Sequence, residues 1–150
     1  MALTEPQRYR AVLAESSPFR GLEPRAMDRV IGAAMILEAP PGSQVLFEGQ
    51  RSSPGFYVVL EGSVEVYQPR EGGDVRLNLL SRGDCFGEYS LIDGKPASAS
   101  LRAVEQAKLY FLPSGLFQKL VASDDHAAAT IYRNLLVRLI TRLRDFNDPA

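Results

Sequence analysis

The spacing of apolar residues divides the chain into three regimes. Over residues 4–34 apolar positions recur three and four apart, with Met27, Val30 and Ile31 as one stripe, which predicts short helices. Thr4 and Gln7 are placed to form a capping box at the start. Ser16, Ser17 and Pro18 interrupt the helical pattern, and Pro24 sits where a first helical turn accepts proline. From residue 35 to 112 the period becomes two. Val64 and Val66 alternate with Ser63, Glu65 and Tyr67; Val75, Leu77 and Leu79 alternate with Arg76 and Asn78; Leu109 and Phe111 alternate with Lys108 and Tyr110. Glycine or proline punctuates these runs at Pro41-Gly42, Gly49, Gly55, Gly62, Gly72-Gly73, Gly83 and Gly94. Many short strands with regular turn signals predict an antiparallel sandwich or roll.

After Leu112 the helical period returns. One short helix is predicted over 113–121, and a longer one begins after the cap candidates Ser123, Asp124 and Asp125 and runs to about Asp145. Within it Ala129, Tyr132, Leu136, Leu139, Leu143 and Phe146 follow the alternating spacing of a heptad seam. The seam has three outlets: the chain's own strands, a two-fold pairing with a second copy, or a mixed case with its first half on the strands and its second half in the pairing. The expected organisation is one domain over 1–150, with N-terminal helices over 1–34, strands over 35–112 and C-terminal helices over 113–147.

Composition narrows the function classes. The 150 residues are 45% hydrophobic and 23% charged, ordinary for a globular domain. A net charge of −1 gives no general attraction to nucleic acid or an anionic membrane. No apolar run approaches the roughly 18 residues of a membrane span, and the polar start MALTEPQRYR is unlike a signal peptide. Cys85 is the single cysteine, so no internal disulfide is available. A cytoplasmic setting is expected.

The most specific motif is FGEYSLIDGKPASAS at residues 86–100. It resembles the phosphate-binding cassette of the cyclic nucleotide-binding domain family, of the cAMP receptor protein and protein kinase A regulatory subunit type. The family pattern is F-G-E-L-A-L-x-x-x-x-P-R-A-A-[ST]. Phe86, Gly87, Glu88, Leu91, Pro96, Ala99 and Ser100 coincide with it. The flanking segments SSPFRGLEPRAMDRVI, PPGSQVLFEGQRSSPGFYVVLEGSVEVY and LYFLPSGLFQKL also resemble the family, with Gly49 and Gly62 at its turn glycines. The resemblance implies a mainly β fold with flanking helices, an antiparallel β-roll of jelly-roll type.

It also implies a ligand pocket built from Phe86, Gly87, Glu88, Ala97, Ser98, Ala99 and Ser100. In the family, backbone N–H groups of the cassette face the cyclic phosphate, following the anion chemistry of a helix N-terminus. Gly87 matches the position where the backbone approaches the sugar, and Glu88 the carboxylate that accepts from the ribose 2′-hydroxyl. Pro96 matches a residue that stiffens the turn. Ser98 matches a serine that bonds phosphate in some bacterial members, and Ser100 a hydroxyl found where guanine is read. The last helix, with Tyr132, Leu136, Leu139, Leu143 and Phe146, matches the one that covers the base and forms the dimer seam in bacterial regulators.

Ala97 departs from this pattern, because the family places an arginine there. A charge-assisted bond to phosphate contributes about 1.5–3 kcal/mol, or one to two decades of affinity. Lys95, Arg102 and Arg82 are the neighbouring cations weighed as replacements. Glu88 equally fits a structural partner for amides of its own loop, and Ser98 and Ser100 fit small strand residues filling an arginine-free pocket. The single histidine, His126, is expected to be a solvated first-turn residue, since one histidine cannot assemble a metal centre. Cys85 is expected to be a small buried strand residue, and Arg133, Arg138, Arg142 and Arg144 a solvated basic face.

These readings point to a non-enzymatic signalling module, unable to bind cAMP in the usual way and acting through another signalling protein. The alternative is a second-messenger sensor that takes cAMP, cGMP or another nucleotide in an altered pocket. No cofactor or metal is expected; a cyclic nucleotide is the implied ligand. A homodimer through the last helix is one expected partner arrangement, and neither DNA nor a membrane is expected. With the sequence ending at Ala150 directly after the last helix, no DNA-binding helix-turn-helix is expected.

Overall fold

The computed structural model describes residues 5–46 and 55–147. Thr4 of the expected capping box and the turn glycine Gly49 lie outside the described residues. Helices α1 (Glu5–Arg8) and α2 (Arg10–Glu15) stop where Ser16 turns into extended backbone. A 3-10 turn (Ser17–Phe19) and α3 (Pro24–Gly32) follow, with Pro24 in the first turn of α3. The predicted stripe is the buried one: Ala26, Met27, Val30 and Ile31 all face inward. The Tyr110 hydroxyl donates to the Val30 carbonyl at 2.9 Å and fastens α3 to the strands.

Among the described residues eight strands form two antiparallel sheets. The strands are β1 (Met35–Ala39), β2 (Gln44–Leu46), β3 (Gly55–Glu61), β4 (Val64–Gln68), β5 (Val75–Leu80), β6 (Cys85–Phe86), β7 (Ser100–Ala103) and β8 (Ala107–Pro113). One sheet runs β1-β8-β3-β6 and the other β2-β7-β4-β5. The register of β3 against β8, with Phe56 opposite Leu112 and Val58 opposite Tyr110, sorts side chains by parity. Phe56, Val58, Leu60, Tyr110 and Leu112 face a core shared with the helices. Tyr57, Val59, Leu109 and Phe111 face a second core between the sheets. Burial on both faces is why FYVVL is apolar throughout instead of alternating. Gly62, at φ 79°, turns β3 into β4, and a Cβ there would lie 2.1 Å from the Gln106 carbonyl oxygen.

Two elements carry their apolar pattern outward. β5 is an edge strand, and its alternating Val75, Leu77 and Leu79 are each about half exposed; only Leu80 is buried. At the other end, α4 (Ser90–Asp93) and β7 lead through β8 to α5 (Ser114–Ser123) and α6 (Asp125–Asn147). Asp124 Oδ1 accepts from the Ala127 amide at 3.0 Å and caps α6. The face of α6 on the roll is Ala127, Ile131 and Leu135. The heptad seam is not that face: Tyr132, Leu136, Leu139, Leu143 and Phe146 are exposed, Phe146 at 82%. Stepping about 100° per residue, the seam sits well around the helix from the buried stripe. Among the described residues the seam is not packed on the chain's own strands. No described helix is long and apolar enough to cross a membrane.

Candidate ligand pocket

The segment 86–99 connects β6 to β7, and its shape is set by local contacts. Gly87 has φ 88°, and a Cβ there would lie 2.4 Å from the Gly55 carbonyl oxygen. Only glycine lets the segment pass this close to β3, whether or not a ligand is bound. The loop after α4 is held from both sides. Ser90 Oγ donates to the Lys95 carbonyl at 3.0 Å, the Lys95 amide donates to Asp93 Oδ1 at 2.9 Å, and Gln68 Nε2 donates to the Ser98 carbonyl at 2.8 Å. Ala99 is buried between the sheets. Gly94 closes α4 in the left-handed conformation.

This loop bounds a cavity of 410 Å³. Phe86, Gly87, Glu88, Ala97, Ser98 and Ala99 line it, so six of the seven pocket positions implied by the motif come together. Ser100 does not line the cavity; it is buried in β7, paired across from Tyr67. Val66, Leu77 and Leu80 add an apolar wall. Tyr89 and Arg142 also line the cavity, and motif matching did not find them. The Arg142 guanidinium lies 5.5 Å from the centre of the Tyr89 ring. The Tyr89 hydroxyl is buried without a hydrogen-bond partner among the described residues.

Glu88 is paired with the last helix. Its side chain is 3% exposed, and Oε1 accepts from Arg138 Nε at 2.9 Å while a guanidinium nitrogen of Arg142 lies 3.2 Å away. No bond from a loop amide to the carboxylate is seen among the described residues. A carboxylate removed from water needs such pairing to stay charged. The expectation of a solvated basic face is corrected for Arg138, whose side chain is 28% exposed and bonded to Glu88; Arg142, at 51%, stays half in solvent while it also reaches Glu88. They extend the buried stripe Ala127, Ile131, Leu135 by steps of three and four, so α6 aims them at the cassette. The signal was available as spacing, but the apolar heptad masked it.

The structure separates the candidate replacements for the missing arginine. Arg102 is turned away from the cavity: its Nε donates to Glu65 Oε1 at 2.8 Å, another nitrogen lies 3.0 Å from Asp74, and the guanidinium sits 4.1 Å above the Tyr67 ring. Arg82 does not line the cavity. Among the described residues Lys95 and Arg142 are the cations that do. Ser98 is exposed at the rim. Glu65, held by Arg102 and then Arg76, has its carboxyl below the usual range despite its burial. Burial, followed by the nearby Glu88 charge, pushes the Cys85 thiol up to about 12, which suits a packing residue and not a nucleophile. His126 is exposed beside Glu23. Among the described residues no three His, Cys, Asp or Glu side chains converge to hold a metal ion.

Comparison with known proteins agrees with this geometry. Residues 36–124 match the sequence model of the cyclic nucleotide-binding domain. The chain is 32% identical over 115 residues to the cAMP-dependent protein kinase regulatory subunit of Emericella nidulans, covering 75% of this chain and 27% of that protein. It is 31% identical over 128 residues to the cyclic AMP receptor protein of Thermus thermophilus, covering 85% of this chain and 57% of that protein. The crystal structure of the Thermus thermophilus catabolite activator protein superposes with a TM-score of 0.75 at 30% identity, over 88% of this chain and 60% of that one. The chain thus spans between a quarter and about three-fifths of the length of these relatives.

Proposed function

The chain belongs to the cyclic nucleotide-binding domain family, and from that premise we propose that it is a non-enzymatic regulatory module whose cassette does not grip a cyclic phosphate in the usual way. Its output passes through contact with another signalling protein. The observation that carries this reading is the charge arrangement at the cassette. Position 97 offers a methyl group, the strand arginine Arg102 is committed to Glu65 and Asp74, and Glu88 is already paired with two guanidiniums. A cyclic nucleotide in the family's pose would lack its cation and would compete with α6 for the ribose acceptor.

The bare seam of α6 supplies the contact surface. Leu136, Leu139, Leu143 and Phe146 form an exposed apolar strip suited to a second copy of the helix or to a partner's helix. The module is treated as one domain in a cytoplasmic setting. Its net charge of −1 gives no reason to assign DNA or a membrane as partner.

A second reading is supported by the cavity itself. At 410 Å³ it remains open and is not filled by side chains, and Lys95, Arg142 and Ser98 give it donors at other positions. In this reading the module senses cAMP, cGMP or another nucleotide through an altered contact set.

Paired calorimetry with cAMP and cGMP on the native protein and on Ala97→Arg separates the two. The expected result is no measurable heat for the native chain and a gain of about one to two decades in affinity for the variant. Sub-micromolar binding by the native chain overturns the first reading. Absence of thermal stabilisation by any cyclic nucleotide at about millimolar concentration overturns the second.

A further inference from the structure

We propose that the groove between the 3-10 turn and the C-terminal half of α6 is a separate anion site, for a small phosphate chain of the di- or triphosphate kind, linked to the cassette through Arg138 and Arg142. The groove encloses 350 Å³, a volume suited to a small molecule. Its wall carries Arg20, Arg133, Arg138 and Arg142, with the hydroxyl residues Ser17 and Thr141, and no carboxylate lines it among the described residues. Arg20 and Arg133 form no ion pair among the described residues; Arg20 bonds the Glu15 carbonyl through Nε alone. Arg138 and Arg142 share the single carboxylate of Glu88. Among the described residues four arginines thus line the groove and share one carboxylate partner, and the excess of three positive charges is what a short phosphate chain neutralises with paired, fork-like hydrogen bonds.

The site is held in shape by the fold. Asn134 Nδ2 donates to the Pro18 carbonyl at 3.0 Å and to the Arg20 carbonyl at 2.8 Å, which pins α6 to the 3-10 turn beneath the arginines. By helical spacing the groove residues Asn134, Arg138 and Thr141 lie opposite the seam residues Leu139 and Leu143. A partner on the seam leaves the groove accessible.

Arg142 also lines the cassette cavity, so the two sites share a wall. An anion in the groove competes with Glu88 for both guanidiniums, and Glu88 in turn weakens the anion. The linkage is reciprocal, as any coupling of two binding equilibria must be. It does not depend on a nucleotide entering the cassette cavity, so this proposal and the functional reading fail separately.

The test is titration calorimetry with inorganic tripolyphosphate at fixed ionic strength, with orthophosphate as the control. Tripolyphosphate is expected to bind about tenfold tighter than orthophosphate, since it meets several guanidiniums at once. Arg20→Gln and Arg133→Gln, both at exposed positions, are each expected to weaken it about threefold. Glu88→Gln is expected to tighten it severalfold by releasing two guanidiniums. Equal binding by the Arg20→Gln/Arg133→Gln double variant, or no heat with the native protein, overturns the site. Weakening in the arginine variants without tightening in Glu88→Gln overturns the linkage.

Discussion

Glu65 and Glu88 are both buried carboxylates held by two arginines, and they differ in where the arginines come from. The partners of Glu65 stand on the two strands that flank its own, Arg76 on β5 and Arg102 on β7, with Arg102 directly across in register. Both partners of Glu88 stand on α6, and the nearer in sequence is 50 residues away. The strand pair cannot separate without breaking ladder hydrogen bonds. The helix end can lift without breaking one, because its opposite face is bare. The same chemistry therefore closes a sheet in one place and fastens a helix end to the pocket in the other.

The largest test removes both cations from each carboxylate. Arg138→Gln/Arg142→Gln leaves a carboxylate that is 3% exposed without a cation. Stranding a buried charge costs on the order of 3–5 kcal/mol. Arg76→Gln/Arg102→Gln leaves Glu65, at 11% exposure, closer to water. Urea unfolding is expected to show the larger loss in the first double variant. The reverse order would mean that α6 already yields water to Glu88, and the contrast between the two sites would collapse.

The same contrast explains what the sequence disclosed. The roll, its turns and the cassette were legible, because period-two runs, the turn at Gly62 and the FGE…P…AS spacing are local signals. Gly87 was legible as a family glycine, while its structural reason, contact with Gly55 across the chain, was not. The partners of Glu88 escaped for a physical reason. Apolar periodicity reports which residues avoid water, and on α6 the stronger apolar stripe is the exposed seam. The face that closes on the roll ends in two arginines, which such a count assigns to solvent. Likewise Val75, Leu77 and Leu79 alternate like a half-buried strand, but no element covers them. One chain's pattern cannot say that an edge face is left for something else.

The pH dependence gives the next largest effect and belongs to the sheet. The Glu65 carboxyl titrates below its unfolded value of 4.5, chiefly because Arg102 and Arg76 hydrogen-bond the charged form. A depressed folded value stabilises the fold above the unfolded one and is lost as pH falls through the folded value, because the unfolded chain then binds the proton more readily. The native chain is expected to lose urea resistance between neutral pH and about pH 3. Glu65→Gln should lose less over that interval, since the amide has no charge to forfeit. Parallel slopes in the two proteins would show that the Glu65 network contributes no linkage and is an ordinary surface cluster.

The smallest expected effect is the most telling. Glu88→Gln removes the charge that holds α6 but also removes the cost of burying it, and an amide oxygen still accepts from one guanidinium. Arg138 and Arg142, with side chains 28% and 51% exposed, recover solvation readily. Global stability should therefore change by no more than about 1 kcal/mol. The local consequence should be larger in kind: amide hydrogen exchange should quicken in α6 beyond residue 138 and stay unchanged before Leu135, which is packed on the roll. Glu65→Gln should leave exchange in α6 untouched. Unchanged exchange in Glu88→Gln would show that Asn134 and its two carbonyl bonds hold the whole helix. The ion pair would then be a packing detail with no part in moving α6.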